Sequence, residues 1–189
     1  MKKILSILSM TSIALTVSLN AHSQDTNTDI HTITIGVPEV AIVDIEPLAS
    51  KNITLGFTAP TEAGLPIVAD AANNSLWLNY SSIKSATDAT RNVSVRLSAA
   101  IPGIDIQLTA AEASGLGGGT LGIPSAQLTL SSADQTVISG IGSAYTGDGA
   151  NNGHNLTYVL APTSTTGGYA DLEATASTVT TVTYTISDN

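Results

Sequence analysis

The chain has 189 residues, no cysteine, six Lys or Arg against fifteen Asp or Glu, and a formal net charge of −9. The lack of cysteine excludes disulfides and thiolate metal sites. The acidic balance argues against nucleic acid and anionic membrane surfaces as partners, because both require a basic surface and Arg96 is the last cation of the chain.

The N-terminus has the pattern of a secretory signal peptide. Lys2 and Lys3 precede an apolar run from Ile4 to Leu19, and small residues follow. The run contains Ser and Thr and is shorter than the ~20 apolar residues of a membrane span, so we expect cleavage before Gln24 instead of an anchor. Loss of residues 1–23 removes both lysines, which lowers the net charge to −11. We expect an exported protein, in the periplasm, at the cell surface or outside the cell.

The remainder of the chain has the length of one domain. Residues 24–29 are polar and are predicted to form a disordered leader, and residues 30–189 are predicted to form a single domain. A domain of this size can bury a sizeable core without disulfides. No linker divides it.

Apolar and polar residues alternate in several segments of the domain. In Val93–Leu97 and Ile104–Leu108 this period of two places the apolar side chains on one face of a strand. The same period recurs at Leu76–Tyr80, Leu128–Leu130, Leu156–Leu160 and Val182–Ile186. Gly, Pro and Asn lie between these segments, and no segment has a helical period. The sequence predicts an all-β fold, a two-layer antiparallel β-sandwich.

The motifs that could support catalysis are incomplete. The glycine-rich stretch Gly115–Gly122 has neither the Lys nor the following helix of a phosphate-binding loop, so we interpret it as a hairpin or inter-sheet loop. Ser143 lacks the flanking glycines of a hydrolase nucleophile. After cleavage only His31 and His154 remain, and we expect His154 to be an exposed loop residue. The sequence therefore predicts neither an enzyme nor a cofactor.

A turn rich in Gly, Asn and Asp offers a weak calcium site. Its oxygen-bearing side chains are Asp148, Asn151, Asn152 and Asn155. Ca²⁺ prefers six to eight oxygen ligands, and one carboxylate among amides makes a weak site. The same residues are typical of tight turns, so we predict a turn here and no metal.

Trp77 is the only tryptophan of the chain and the best candidate for an aromatic binding surface. If Leu76, Leu78 and Tyr80 face the core, then Trp77 and Asn79 point outward, and the Trp ring could bind a sugar or a protein. Tyr80 is the second aromatic candidate in this strand. The opposite register, with Trp77 buried under the second sheet, fits the pattern equally well.

Three stretches of the chain together resemble a known class of secreted protein. They are HTITIGVPEVAIVDIEPLASKNITLGF, from His31 to Phe57, the strand LWLNYSS, from Leu76 to Ser82, and the closing VTTVTYTISDN, from Val179 to Asn189. These resemble the pilin-like sandwiches of the spore coat protein U, archaic chaperone-usher type. With the predicted turn GIGSAYTGDG, from Gly140 to Gly149, they are also similar to an uncharacterised family of secreted Bacteroidota proteins.

The pilin resemblance implies that the two-layer antiparallel β-sandwich is immunoglobulin-like and is completed by a strand from a neighbouring subunit or from a periplasmic chaperone. The donor would be Ile30–Val37, and Val182, Tyr184 and Ile186 would line the edge that receives it. The leader is short and the cysteine pair of such pilins is missing, which leaves a self-complete sandwich as the alternative.

The functional expectation is a secreted, non-enzymatic structural or adhesive subunit of the cell surface, with β-strand complementation as its mode of assembly. The alternative is a carbohydrate-binding module that binds a glycan through an exposed Trp77.

Overall fold

The computed structural model describes residues 27–163, 167–175 and 177–189. The expected signal peptide and the first three residues of the leader lie outside the described residues. The chain divides into two units, Met1–Gly36 and Val37–Asn189. In the first unit, the described residues 27–36 form no strand. The predicted strand Ile30–Val37 therefore has no sheet partner among the described residues.

The second unit is built from β-strands that pair antiparallel. The strands are β1 (Val40–Glu46), β2 (Phe57–Thr58), β3 (Val68–Ala69), β4 (Asn73–Ile83), β5 (Arg91–Leu97), β6 (Ile104–Ala110), β7 (Gly118–Pro124), β8 (Leu128–Thr129), β9 (Gln135–Tyr145), β10 (His154–Pro162) and β11 (Val182–Asp188). Short 3-10 turns lie at Leu48–Ser50 and Gly168–Asp171. The described residues contain no α-helix, and hence none that could span a membrane.

The strand pairing arranges the sheet as two layers. One layer has the order β1–β4–β10–β6–β8, and the other has the order β7–β9–β5–β11. The layers are hydrogen-bonded to each other where Ser81 and Ser82 of β4 pair with Tyr145 and Ala144 of β9. β2 and β3 form a separate pair. This arrangement confirms the prediction of an all-β antiparallel sandwich.

The core lies between the two layers and follows the alternation of the sequence. Leu78 and Leu156 contribute from one layer and Val93 and Val95 from the other, and all four are fully buried. Each of the six segments with a period of two overlaps a strand. The pattern therefore predicted the core-facing side chains of β4, β5, β6, β10 and β11.

The glycine-rich segments differ from the sequence-based expectation. Gly118–Pro124 is strand β7 and not a loop, and Gly140 to Tyr145 is the second half of β9 and not a turn. The glycines allow β7 and β9 to approach each other closely. Gly119 has a φ of +87°, and a Cβ there would overlap the Ser143 carbonyl oxygen and lie 2.8 Å from the Cα of Ala144. Only glycine accommodates both constraints.

A buried arginine joins β5 to the first and last strands of the unit. Arg91 is 1% exposed. Its Nε donates to Asp188 Oδ1 at 2.7 Å, and its Nη2 pairs with Glu39. Its Nη1 donates to the carbonyl oxygens of Val40 and Ile83, the latter at 3.1 Å. The guanidinium thus holds the start of β1, the end of β4 and the end of β11 together.

We expect the substitution Arg91→Met to lower the free energy of unfolding by about 1.5–3 kcal/mol, the cost typical of losing hydrogen bonds to a charged group, because Glu39 and Asp188 are 52 and 57% exposed and regain water. The matched control is Arg96→Met in the same strand, since Arg96 is 52% exposed and lies 3.8 Å from Asp134. Its loss should cost at most about 1 kcal/mol. Urea denaturation of both variants measures the difference, and equal losses would contradict the role given to Arg91.

Candidate functional site

The terminal strand β11 pairs with β5 of its own chain along one edge, and its other edge is free of strand pairing among the described residues. Its register with β5 runs from Val182 opposite Leu97 to Asp188 opposite Arg91. β11 is the last strand of its layer, so its second edge has no strand partner in the described part of the chain. An exposed strand edge presents unpaired N–H and C=O groups to another strand. This edge is one element of the candidate site.

The side chains that line this edge are anchored in the core. Val182, Tyr184 and Ile186 are half-buried and pack against the core cluster. The hydroxyls of Tyr184 and Tyr158 lie 2.6 Å apart. Burial raises the pKa of both phenols, so both stay protonated at neutral pH. β11 is therefore a rigid edge whose inner face is fixed by its own chain.

The segment expected to donate a strand exposes its apolar side chains. Ile33, Ile35 and Val37 are 74, 80 and 71% exposed, and Ile30 is 92% exposed. The threonines between them are also exposed, so neither face of the segment is covered. Three aliphatic side chains at a spacing of two residues form the apolar face of a strand. The segment is the second element of the candidate site.

Three carboxylates come together beside the buried arginine. Oxygens of Glu39, Asp88 and Asp188 lie within 4.8 Å of one another, a grouping that could hold a cation. Two of the three already accept hydrogen bonds from the Arg91 guanidinium. The hydrogen bond to Asp188 raises the pKa of Arg91, so the site keeps its own positive charge. The grouping is best explained as an ion-pair cluster.

His154 is buried, and the expectation of an exposed loop histidine was wrong. It is the first residue of β10, opposite Leu78 in β4, and it is 0% exposed. The turn that surrounds it in the sequence ends one residue earlier, at Gly153. The preceding residues suggested a loop, but the side chain points into the sandwich because β10 has already begun.

The His154 ring connects three parts of the core. Its Nδ1 lies 2.7 Å from the carbonyl oxygen of Ala111, which can only accept, so Nδ1 carries a proton. Its Nε2 lies 3.0 Å from the hydroxyl of Tyr80, which also contacts the carbonyl oxygen of Leu121. Burial lowers the pKa of His154 and raises that of Tyr80. Both groups are neutral near pH 7 and connect β10 and β4 to Ala111, just after β6, and to Leu121 of β7.

The aromatic candidates of β4 lie on opposite faces. Tyr80 is 3% exposed and faces the core. Trp77 is half-buried on the outer face, between Glu46 of β1 and Asn155 of β10. The structure therefore has the register in which Leu76 and its alternating neighbours point inward.

The four weak calcium candidates do not converge on one point as ligands. Asn152 donates to the Asp148 carbonyl oxygen at 2.7 Å and accepts from the Leu116 N–H at 2.9 Å. The Asn155 amide donates to carbonyl oxygens of β4. Asn151 has a φ of +70°, a left-handed conformation that suits Asn in a turn. These side chains hold the turn in place, in agreement with the predicted turn.

Comparison with protein-family models, with curated proteins and with solved structures gives no match for this chain. Fold and site together define an antiparallel β-sandwich in which β11 has an edge without a strand partner among the described residues, and in which the described segment before β1 exposes apolar side chains.

We expect His154 to make stability depend on pH. Because its pKa is lower in the folded state than in the unfolded state, stability is full above about pH 6.5 and falls as the pH decreases below that value. The substitution His154→Gln should lower the melting temperature at pH 7.5 and flatten its decrease between pH 7 and pH 5. His31→Gln, at an exposed position, is the control. Thermal melts at several pH values measure the slopes, and a slope unchanged in His154→Gln would contradict this prediction.

Proposed function

We propose that the protein is an exported, non-enzymatic subunit of the cell surface, structural or adhesive, that assembles by β-strand complementation. The apolar segment Ile30–Val37 of one copy adds to the open edge of β11 in the next copy. A periplasmic chaperone that occupies the same edge before assembly is compatible with this mode.

The observation that carries the proposal is the exposure of Ile33, Ile35 and Val37. Burial of a large aliphatic side chain is favourable by about 1.5–3 kcal/mol, so three exposed side chains on one face of a strand represent a strong tendency to associate. The segment Ile30–Val37 is eight residues long and contains no Asp, Glu, Lys or Arg. Nothing in it opposes pairing with another strand.

The acceptor edge supports the same mode. β11 carries Thr183, Thr185 and Ser187 between its core-facing residues. It has no Lys, a residue whose charge on an edge strand disfavours pairing with another strand. Backbone hydrogen bonds to an added strand would supply affinity, and the apolar side chains on one face would supply register. The core is already closed without the added strand, because its central side chains are fully buried. Complementation would therefore extend a complete sandwich.

We also propose that the protein is not an enzyme, because the buried titratable groups His154 and Arg91 have structural partners. Both ring nitrogens of His154 are hydrogen-bonded inside the core, and the Arg91 guanidinium forms ion pairs that join strands. Trp77, the basis of the carbohydrate-binding alternative, is half-buried beside Glu46 and Asn155. A sugar site at that ring alone is the weaker candidate.

We expect Ile33→Asp combined with Ile35→Asp to abolish assembly without destabilising the monomer. Both side chains are largely exposed in the single copy, so their replacement removes no intramolecular packing. Light scattering of the secreted protein across a concentration series should show oligomers for the natural sequence and a monomer for the double variant. The melting temperatures of the two monomers should agree.

The matched control is Thr32→Asp combined with Thr34→Asp, which adds the same charge on the opposite face of the same segment. We expect this variant to retain most of the assembly, because the threonines do not enter the apolar contact. A monomer at all concentrations for the natural sequence would contradict the proposal. So would an equal loss of assembly in both double variants, since charge alone would then explain the effect.

A further inference from the structure

A cavity opens on the outer face of the layer that contains β1 and β4, on the side of the sheet away from the core. Its volume is about 350 Å³. The side chains that define it are Ile42, Asp44, Asn79, Ser81, Tyr145 and Asp148. No Lys or Arg lines it. Its size is at the lower end of the range for small-molecule sites and much larger than a bare ion needs.

The strand register explains why these residues share one face. Ser81 of β4 pairs with Ile42 of β1 and with Tyr145 of β9, so the three residues form a row across three strands. Asn79 pairs with Asp44 in the next row on the same face. Directly paired residues of antiparallel strands have neighbouring side chains. The site is therefore built on rigid strands.

Two exposed side chains give the cavity apolar walls. Ile42 is 62% exposed and Tyr145 is 57% exposed. The Tyr145 ring lies over Gly118 of β7, where a Cβ would be 3.3 Å from the ring. Glycine at that position lets the ring lie close to the β7 backbone. A fixed, exposed aromatic ring beside polar groups suits a ligand with one apolar face and one hydroxylated face.

Asn79, which lines the cavity, carries an unsatisfied acceptor. Asn79 is 5% exposed, and its Nδ2 donates to the Asn152 carbonyl oxygen at 2.6 Å. Its Oδ1 is buried and has no hydrogen-bond partner in the part of the chain that the structure describes. A buried acceptor that stays unpaired is unfavourable. With Nδ2 held by Asn152, Oδ1 is the amide atom left for a ligand that donates a hydrogen bond.

The polar groups of the cavity define the ligand as a donor of several hydrogen bonds. The carboxylates of Asp44 and Asp148 and the amide oxygen of Asn79 accept, and the Ser81 hydroxyl can donate or accept. Two carboxylates repel an anionic ligand. A bare cation would make no contact with the apolar side chains of Ile42 and Tyr145, whereas a larger ligand would.

We propose that this cavity binds a neutral sugar, a hexopyranose whose C–H face packs on Tyr145 and whose hydroxyls donate to Asp44, Asp148 and Asn79. The inference gives the adhesive part of the proposed function a ligand class and rests on that function only for its biological role. The site lies on the face of β1 and β4, whereas assembly uses the edge of β11.

The test is a titration of the secreted protein, labelled with ¹⁵N, with the methyl glycosides of glucose, mannose and galactose up to about 50 mM. We expect at least one of the three to shift the Asn79 side-chain amide and the Ser81 backbone amide saturably, with a Kd on the order of 1–10 mM. Glucuronate and CaCl₂ are titrated in parallel. The Ile33→Asp, Ile35→Asp variant should bind the sugar equally well, so failure of assembly and failure of the sugar site are distinguishable.

Tyr145→Ala should raise the Kd about tenfold, and Asp148→Asn should weaken binding while leaving the fold unchanged, as its exposed position allows. The matched controls are Tyr169→Ala and Asp134→Asn, an exposed tyrosine and an exposed aspartate elsewhere. Both should bind like the natural sequence. The proposal is overturned if no glycoside shifts the cavity amides, if only CaCl₂ or glucuronate does, or if Tyr145→Ala binds unchanged.

Discussion

The guanidinium of Arg91 is a permanent charge in a position that is almost closed to solvent. Burial of a charge is unfavourable unless partners satisfy it, and here the partners come from three separate parts of the chain. Glu39 precedes β1, Ile83 ends β4 and Asp188 ends β11. Because one side chain needs all of them, the first and last strands of the unit are positioned relative to β5 by a single electrostatic requirement.

The ion pair between Arg91 and Asp188 also fixes the position of β11, the strand whose edge is proposed for assembly. Asp188, the last residue of β11, accepts a hydrogen bond from Arg91. In the middle of the strand, the hydroxyl of Tyr184 is hydrogen-bonded to that of Tyr158. A strand fixed at two points along its inner face loses little further freedom when another strand is added to its outer edge. Ordering costs oppose association, so a pre-organised edge favours it.

The alternation of apolar residues was enough to predict the strands that face the core, because a period of two follows from strand geometry alone. Other features depend on contacts between distant residues. Arg91 and Asp188 are 97 positions apart, and the close approach of β7 to β9 is visible only once Gly119 meets Ser143. His154 was mispredicted for the same reason: its neighbours in sequence form a turn, but its neighbours in space form the core.

The same limit explains why the sequence predicts a binding role for Trp77 more readily than for Tyr145. A lone tryptophan is conspicuous in a sequence, whereas Tyr145 follows a glycine-rich segment whose strand could not be recognised from its pattern. The register across β1, β4 and β9 places Ile42, Ser81 and Tyr145 in one row. It also places that row on the outer face, whereas the free edge belongs to β11, which is separated from β9 by β5. The proposed strand addition and the proposed sugar site therefore use different strands, so that neither contact covers the other.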